Sequence, residues 1–326
     1  MIISRTPMRM SFAGGGSDLS VYYKTGYGLV ISTAINKYIY ITVNKKFDDL
    51  IRVSYSSTEV VDSVDKIKHN IIREAIKLVG IENGIEVVYM GDVPLGSAGI
   101  GLGSSSSLAV GVLNALYAYK GMHVSAEKLA REACEIEIDI LGHPIGKQDQ
   151  YAAAYGGLNS IQFNLDESVY VDPVICGKET KDEIQKRLLV FYTGIERFST
   201  DILCDQKKEI DNNKNYLKDM VRIAEDMKNA LVNKNIDSFG EFLNQGWELK
   251  KKLTAKISNT KIDQYYKKAI AEGAIGGKVM GAGGGGFLLF YAHEEKHDNI
   301  RRALGELKEN KIEFEPQGSK IIYVSE

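Results

Sequence analysis

Apolar and polar residues follow two different spacings along the first half of the chain, which predicts a mixture of strands and helices. Alternation, or a short apolar run between turn residues, is typical of strands and occurs at residues 38–43, 51–55, 85–90 and 158–163. Apolar residues three or four positions apart are typical of helices and occur at residues 66–79, 108–119 and 125–141. The first half is therefore expected to be a mixed α/β region.

The second half opens with a buried-type strand at residues 187–193 and continues with a long charged helical region at about residues 205–255. The remainder reads as strand, strand, helix and strand at residues 277–281, 287–291, 295–310 and 321–324. This order is typical of a ferredoxin-like α+β sandwich. We therefore expect an α+β protein with two domains, a mixed α/β domain of residues 1–180 and a ferredoxin-like domain of residues 181–326.

Composition agrees with this picture and excludes several classes of protein. A length of 326 residues fits two domains, and 44% hydrophobic with 26% charged residues is ordinary for a soluble enzyme. The formal net charge of -2 gives no general reason to bind nucleic acid or an anionic membrane. No apolar run reaches about 18 residues and no signal-peptide segment is present, so we expect a cytoplasmic protein, monomeric or homodimeric. Three widely spaced cysteines without a C-x-x-C pair are expected to be reduced thiols, not a metal site.

Residues 94–108 run from a predicted strand into a predicted helix and contain four glycines and five serines. Unpaired backbone N–H groups and the helix macrodipole bind phosphate at such a place, and glycines let its oxygens approach closely. The stretch is not a Walker A loop, because no Gly-Lys-Ser/Thr follows, and Ser104 stands where a Rossmann fingerprint needs its third glycine. A flexible linker is the alternative, but linkers are not usually followed at once by an apolar helix. We therefore expect a phosphate-binding loop.

Two further segments are rich in glycine. In residues 13–18, three glycines would bring backbone near a ligand, Asp18 would accept hydrogen bonds from sugar hydroxyls, and the preceding Arg9 would stabilise phosphate charge. A tight turn without a ligand is the alternative. Residues 278–291 formally contain G-x-G-x-x-G, but a strand follows where a dinucleotide site needs a helix. A loop that touches a ligand or the neighbouring phosphate loop fits better, and a plain glycine-rich hairpin is the alternative.

Carboxylates in the middle of the chain are the candidates for chemistry. Asp149 lies among small and apolar residues, where a buried carboxylate is costly unless it is paired or used. Its functional interpretation is a general base, or an orienting group, for a hydroxyl that attacks a phosphoryl group, and a local helix cap is the alternative. One of Glu135, Glu137 and Asp139 would face Mg²⁺ together with a serine hydroxyl of residues 104–106. An exposed acidic face is the alternative for all three.

Three motifs in the order found here, residues 5–18, 94–108 and 278–287, resemble those of the GHMP kinase superfamily, and the middle motif is the most specific. The resemblance covers nearly the whole chain and implies a two-domain kinase fold that uses ATP and Mg²⁺. The positions implied to bind the nucleotide are Pro94, Gly96, Gly99, Gly101, Gly103, Ser104, Ser105 and Ser106.

The same resemblance implies individual roles. Asp149 matches the catalytic aspartate and Arg9 the arginine beside it, while Ser105 and Glu137 match the metal-binding hydroxyl and carboxylate. Asp18 matches the sugar-binding aspartate. The positions implied to contact the substrate are Gly15, Gly16, Asp18, Arg197 and Gly283.

Differences from the galactokinase pattern bear on the substrate. Galactokinase carries Gly-Glu-His-Thr-Asp where this chain has residues 14–18, Gly-Gly-Gly-Ser-Asp, so the sugar-binding glutamate is missing. Residues 12–18 and 192–197 resemble the heptose kinase branch, which implies transfer to the anomeric hydroxyl of D-glycero-D-manno-heptose 7-phosphate. The phosphate of such a substrate requires a cation, for which Arg197 and Lys147 are the candidates. The alternatives are another sugar 1-kinase, for galactose or fucose, and a non-catalytic sugar- and ATP-binding regulator on the same fold.

Overall fold

The computed structural model describes residues 1–93, 101–195 and 199–325, except the side chain of Ser199, and these residues form two β-sheets with helices packed against them. The strands are β1 (Ile2–Ala13), β2 (Tyr27–Lys45), β3 (Ile51–Ser54), β4 (Thr58–Val61), β5 (Ile85–Gly91), β6 (Leu158–Asn164), β7 (Val169–Pro173), β8 (Leu188–Tyr192), β9 (Gly276–Val279), β10 (Phe287–Tyr291), β11 (Lys308–Glu309) and β12 (Lys320–Val324). The helices are α1 (Ser20–Tyr23), α2 (Asn70–Val79), α3 (Ser104–Tyr119), α4 (Ala126–Cys134), α5 (Gln148–Tyr155), α6 (Lys178–Lys186), α7 (Ser199–Lys208), α8 (Ile210–Val232), α9 (Asp237–Lys251), α10 (Thr260–Ala271) and α11 (His297–Ala303). Shorter helical turns are the π-helical Glu135–Ile140 and the 3₁₀ turns Val64–Lys66, Ala255–Ile257 and Glu294–Lys296.

The first sheet places helix α3 against the first strand. Its path among the described strands is β12-β1-β2-β5-β3-β4, and β6 and β7 extend it from the other end of the long strand β2. The buried hydroxyls of Ser4 and Ser107 tie α3 to β1, through the carbonyls of Gly111 at 2.8 Å and Pro7 at 2.9 Å. A side chain at Gly111 would lie 2.8 Å from the Thr6 hydroxyl, so glycine is what allows this close approach. The start of α3 is thereby held beside the middle of β1.

The second sheet has the order β11-β8-β10-β9, and all of its pairings are antiparallel. Along the chain, one strand and a set of helices lead to the β9–β10 hairpin, and α11 then leads to the last strand of this sheet. This βαββαβ order is the ferredoxin-like arrangement expected from the sequence. The α+β class with two domains is confirmed.

Two predictions about the end of the chain are wrong. The predicted helix at 295–310 ends at Ala303, because residues 308–309 form β11 on the edge of β8. Strand β12 pairs with β1 of the first sheet, and Phe314 forms a bridge with Ile35, so the end of the chain leaves the ferredoxin-like sheet. The predicted second domain of residues 181–326 therefore includes a segment that belongs to the first sheet, and its predicted start lies inside α6.

A buried lysine joins the two sheets. Lys278 on β9 donates hydrogen bonds to the carbonyls of Ser11 at 2.7 Å and Phe12 at 3.2 Å, near the end of β1. Burial, together with the nearby charges of Lys250 and Arg9, lowers the pKa of Lys278 well below its usual value. The glycine segment that follows β1 is thus held in place by the second sheet.

None of the helices in the described ranges has the length and apolar character needed to cross a membrane. The cytoplasmic location and the monomeric or homodimeric state remain predictions.

Candidate active site

Arg9 and Asp149, predicted as the catalytic pair, are in direct contact. Arg9 extends from β1 and is only 3% exposed, while Asp149 lies in the first turn of α5. The Arg9 guanidinium donates from Nε to Asp149 Oδ1 at 2.7 Å and from Nη2 to Oδ2 at 2.6 Å. Its remaining nitrogen, Nη1, donates to the carbonyl of Gly101 at 2.8 Å. This two-pronged, charge-assisted pairing fixes the orientation of the carboxylate.

The described end of the predicted phosphate loop lies against this pair. Gly101 and Gly103 have φ of +86° and +75°, in the left-handed region that favours glycine. A Cβ at Gly103 would lie 3.1 Å from Asp149 Oδ2. Ser104, Ser105 and Ser106 form the first turn of α3, where backbone N–H groups are free to bind an anion. The loop positions Pro94, Gly96 and Gly99 lie outside the described residues.

The third glycine segment touches the phosphate loop, as expected from the sequence. A Cβ at Gly101 would lie 2.6 Å from the carbonyl oxygen of Met280, and a Cβ at Gly281 would lie 2.4 Å from Gly101 Cα. The two loops are therefore in backbone contact. Gly283, predicted to contact the substrate, is buried, and its Cβ would lie 2.7 Å from the carbonyl oxygen of Ile257. It packs within the second domain, and its contact with the substrate remains a prediction.

Asp18 is held beside the start of α5. Its carboxylate accepts hydrogen bonds from the backbone N–H of Gly16 at 2.9 Å and of Gln148 at 3.3 Å. A Cβ at Gly146 would lie 2.0 Å from Asp18 Oδ2, so glycine is required there. Burial raises the pKa of Asp18, and the charge of Asp149 adds to this, while the two backbone hydrogen bonds oppose it. Asp18 is thus held by the first residue of α5, Gln148, and Asp149 is the next residue of the same helix.

Glu137 is the carboxylate that points inward from the predicted acidic set. Within the π-helical turn Glu135–Ile140, Glu137 is fully buried, whereas Glu135 and Asp139 are exposed. Burial raises the pKa of Glu137 to about 7, and the Ser106, Ser105 and Gln150 side chains oppose the rise. The Gln150 amide donates to Glu137 Oε2 at 2.7 Å. Glu135 and Asp139 therefore lie on an exposed acidic face, which was the alternative for all three acids, whereas Glu137 does not.

The oxygen atoms around Glu137 fit a hard cation. Glu137 Oε1, Ser106 Oγ and Gln150 Oε1 are buried without a hydrogen-bond partner among the described residues, which is costly unless a ligand satisfies them. Carboxylate, hydroxyl and amide oxygens are the ligands that Mg²⁺ prefers. The described residues contain no group of three or more His, Cys, Asp or Glu side chains that would hold a metal alone. The unpartnered oxygens around Glu137 are therefore candidates to hold a Mg²⁺ ion.

Ser11 and Gln148 are further candidate site residues that were not predicted from the sequence. Ser11 Oγ and Gln148 Oε1 are buried and have no partner among the described residues. Both side chains lie at Gly15, where a Cβ would be 3.6 Å from Ser11 Oγ and 3.7 Å from Gln148 Nε2. Gly16 packs against α8, with its Cβ position 3.2 Å from Leu217. The available signal was the position of Gln148, directly before the candidate catalytic aspartate.

Of the two candidates for binding a substrate phosphate, Arg197 and Lys147, the structure describes only Lys147. Arg197 lies outside the described residues. Lys147, the residue before α5, has its ammonium group on the carboxylate of Glu167.

Comparison with known proteins identifies the family. The model of the GHMP kinases N terminal domain matches residues 67–157, and that of the GHMP kinases C terminal domain matches residues 227–310. A D-glycero-alpha-D-manno-heptose 7-phosphate kinase of Campylobacter jejuni is 32% identical over 93% of this chain and 93% of that protein. A galactokinase of Pyrococcus furiosus is 25% identical, over 93% of this chain and 92% of that protein.

Among solved structures, a D-glycero-D-manno-heptose 1-phosphate kinase from Bacteroides thetaiotaomicron superposes with a TM-score of 0.82 at 26% identity, covering 100% of both chains. The identity to the Campylobacter protein, its extent and the two matched domains agree with the three motifs of the sequence. The chain therefore belongs to the GHMP kinase family, and it is an ATP-dependent sugar kinase.

Proposed function

We propose that the protein transfers the γ-phosphoryl group of ATP to the anomeric C1 hydroxyl of D-glycero-D-manno-heptose 7-phosphate, giving the 1,7-bisphosphate. The observation that carries the phosphoryl-transfer part is the Asp149 carboxylate, fixed by Arg9 and in contact with the phosphate loop at Gly103. The choice of a heptose phosphate is supported by two relatives, one named a heptose 7-phosphate kinase and the other a heptose 1-phosphate kinase. The 7-phosphate acceptor is supported by the first name only.

In this proposal Asp149 accepts the proton of the attacking hydroxyl, or orients that hydroxyl, beside the phosphate loop. Arg9 keeps the carboxylate in one orientation and adds positive charge next to Gly101, where negative charge develops during transfer. Asp18 accepts hydrogen bonds from the sugar. Ser11 and Gln148, which have unpartnered oxygens at Gly15, offer further hydrogen bonds to it.

Ser105 and Glu137 would hold Mg²⁺, with the neighbouring oxygens of Ser106 and Gln150 available to it. When bound, the ion supplies neutralisation of the negative charge on the phosphate oxygens. The buried Glu137 carboxylate, which accepts from Gln150 and has His143 Nδ1 4.0 Å from Oε1, would then also be paired with a cation.

Glu137→Gln should stabilise the protein without nucleotide or metal at alkaline pH. Because the folded-state pKa of Glu137 is raised to about 7, the folded state binds more protons than the unfolded state between the two pKa values, and stability falls as pH rises. Glu137→Gln has no ionisable group at this position, so its stability does not fall with pH in this way. We expect its free energy of unfolding to exceed that of the wild type by on the order of 3 kcal/mol at about pH 8, and by little at about pH 5.

Urea unfolding of both proteins at the two pH values measures this difference. Glu135→Gln, on the exposed side of the same turn, is the control and should behave like the wild type. Mg²⁺ with a non-hydrolysable ATP analogue should stabilise the wild type more than Glu137→Gln. Identical pH dependence in wild type and Glu137→Gln would contradict the buried, ionisable state of Glu137.

A panel of acceptors tests the proposed substrate. We expect kcat/KM for heptose 7-phosphate to be far higher than for galactose, fucose or mannose. Equal or faster turnover of a free hexose would assign the enzyme to the galactokinase or fucokinase type, for which relatives also exist. If no ATP is consumed with any of these sugars, the proposed substrate is wrong and the acceptor lies outside this panel.

A further inference from the structure

We propose that Lys24 and Lys147 form an anion site for the phosphate that the sugar substrate already carries, and that Glu167 occupies this site until the phosphate displaces it. The inference rests on the proposed function and adds a recognition site to it. It concerns residues at the edge of the candidate active site, none of which takes part in phosphoryl transfer itself.

The Glu167 carboxylate gathers three donors. Oε1 pairs with the ammonium group of Lys24 at 2.6 Å, and Oε2 accepts from the Tyr23 hydroxyl at 2.6 Å and from the ammonium group of Lys147. Burial opposes ionisation, but the hydrogen bonds from Lys147, Lys24 and Tyr23 outweigh it and lower the pKa of Glu167 to about 2. Among these three charged groups one positive charge is in excess, and the nearby carboxylate of Asp139 offsets part of it at Lys24. The donors that now hold one carboxylate are those that a phosphate would need.

The chain places these donors next to the sugar-binding aspartate. Lys147 immediately precedes α5, and its backbone N–H donates to the carbonyl of Asp18 at 3.4 Å. Tyr23 and Lys24 end the short helix α1 that follows Asp18. The Lys147 ammonium also lies 5.2 Å from the centre of the Tyr23 ring. The cluster is therefore connected to α5, which carries Asp149, and to α1, which follows Asp18.

Among the described residues, three other cations near the site already have partners. Arg9 is used by Asp149 and Gly101, and Lys278 is buried on two backbone carbonyls of β1. Lys250 donates to the carbonyl of Gly281. Lys147 and Lys24 differ because their side chains are 18% and 53% exposed, so a ligand can reach them, and their shared partner Glu167 is itself 44% exposed and can move aside.

A similar cluster elsewhere shows what is particular about this one. On α4, Lys128 pairs with Glu132, Glu132 accepts from the Tyr117 hydroxyl at 2.8 Å, and Lys128 lies 5.0 Å from the Tyr117 ring centre. These three residues are of the same types as in the Glu167 cluster, but here the charge of a single lysine is neutralised by a single glutamate. The second lysine and the contact with Asp18 distinguish the Glu167 cluster, and Lys128 provides the matched control.

The test measures KM and kcat for heptose 7-phosphate and for the unphosphorylated heptose. Lys147→Met should raise KM for the phosphorylated sugar about tenfold to a hundredfold, because a charge-assisted hydrogen bond is lost, and should leave KM for the free sugar unchanged. Lys24→Met, at a more exposed position, should raise it up to about fivefold. Glu167→Gln should lower KM for the phosphorylated sugar, because the competing carboxylate is gone. Lys128→Met should change neither KM.

A purely structural role for the cluster would make Glu167→Gln raise KM, or change KM for both sugars equally, and either result would overturn the proposal. An unchanged preference for the phosphorylated sugar in Lys147→Met would also overturn it while leaving the proposed function intact. Failure of the proposed function looks different, since the wild type itself would then prefer a free sugar. If Lys147→Met does not fold, Glu167→Gln and Lys24→Met decide the question.

Discussion

Replacement of Asp149 by asparagine should lower kcat at least about a hundredfold, because a positioned general base typically contributes about 10²- to 10⁴-fold in rate. The asparagine oxygen can still accept a hydrogen bond from Arg9, so the arrangement of β1 and α5 should persist. ATP affinity should remain nearly unchanged, since the nucleotide is held by the loop and the start of α3. The loss would therefore appear in kcat and not in nucleotide binding.

Steady-state kinetics with saturating ATP, together with calorimetric titration of an ATP analogue, measures both quantities. Asp237→Asn is a matched control, because Asp237 also pairs with an arginine, Arg187, at 2.7 Å but lies on α9. It should leave kcat unchanged. Near-normal kcat in Asp149→Asn would remove this residue from the catalytic role.

Gly103→Ala should weaken ATP binding and lower kcat/KM about tenfold to a hundredfold, since small displacements of reacting groups are costly. The new Cβ would lie 3.1 Å from Asp149 Oδ2 and 3.4 Å from Arg9 Cγ, so the catalytic pair or the loop must shift. The residue must also keep a φ of +75°, which costs an L residue about 1–2 kcal/mol.

Gly121→Ala separates the cost of the left-handed backbone from the effect of the close contacts with Asp149 and Arg9. Gly121 follows α3 with a φ of +72°, and a Cβ there meets no atom within 4 Å. In urea unfolding Gly121→Ala should lose only the stability that the φ value costs, and Gly103→Ala should lose somewhat more because of its close contacts. Only Gly103→Ala should lose activity and nucleotide affinity. Full activity in a folded Gly103→Ala protein would show that the loop does not approach the phosphates closely.

Local signals explain most of what could be predicted about the fold. Strand β10 agrees with the prediction at both ends, and the Ser125 hydroxyl accepts from the Lys128 N–H as expected of a helix cap. Non-local pairing explains what could not be predicted. Nothing within residues 321–324 indicates that they pair with β1, at the opposite end of the chain. The short strand β11 likewise depends on β8 as its partner.

In the candidate site, too, local motifs could be predicted from the sequence, whereas contacts that depend on tertiary packing could not. Motif positions place Arg9 with Asp149, and Asp18 near Asp149, because each motif carries its own turn and helix start. The contribution of Gln148 depends on the unpartnered state of its oxygen, which only the packed structure shows. The burial of Gly283 against Ile257 is likewise a tertiary effect.

Transfer of phosphate from ATP to the anomeric oxygen of a sugar phosphate is the proposed reaction. Its most direct test is ³¹P NMR of the protein with ATP, Mg²⁺ and D-glycero-D-manno-heptose 7-phosphate. We expect the γ-phosphate signal of ATP to fall while a new anomeric phosphate signal grows at the same rate and the 7-phosphate signal persists. Absence of an anomeric phosphate signal from the heptose, while a free hexose acquires one under the same conditions, would contradict the account.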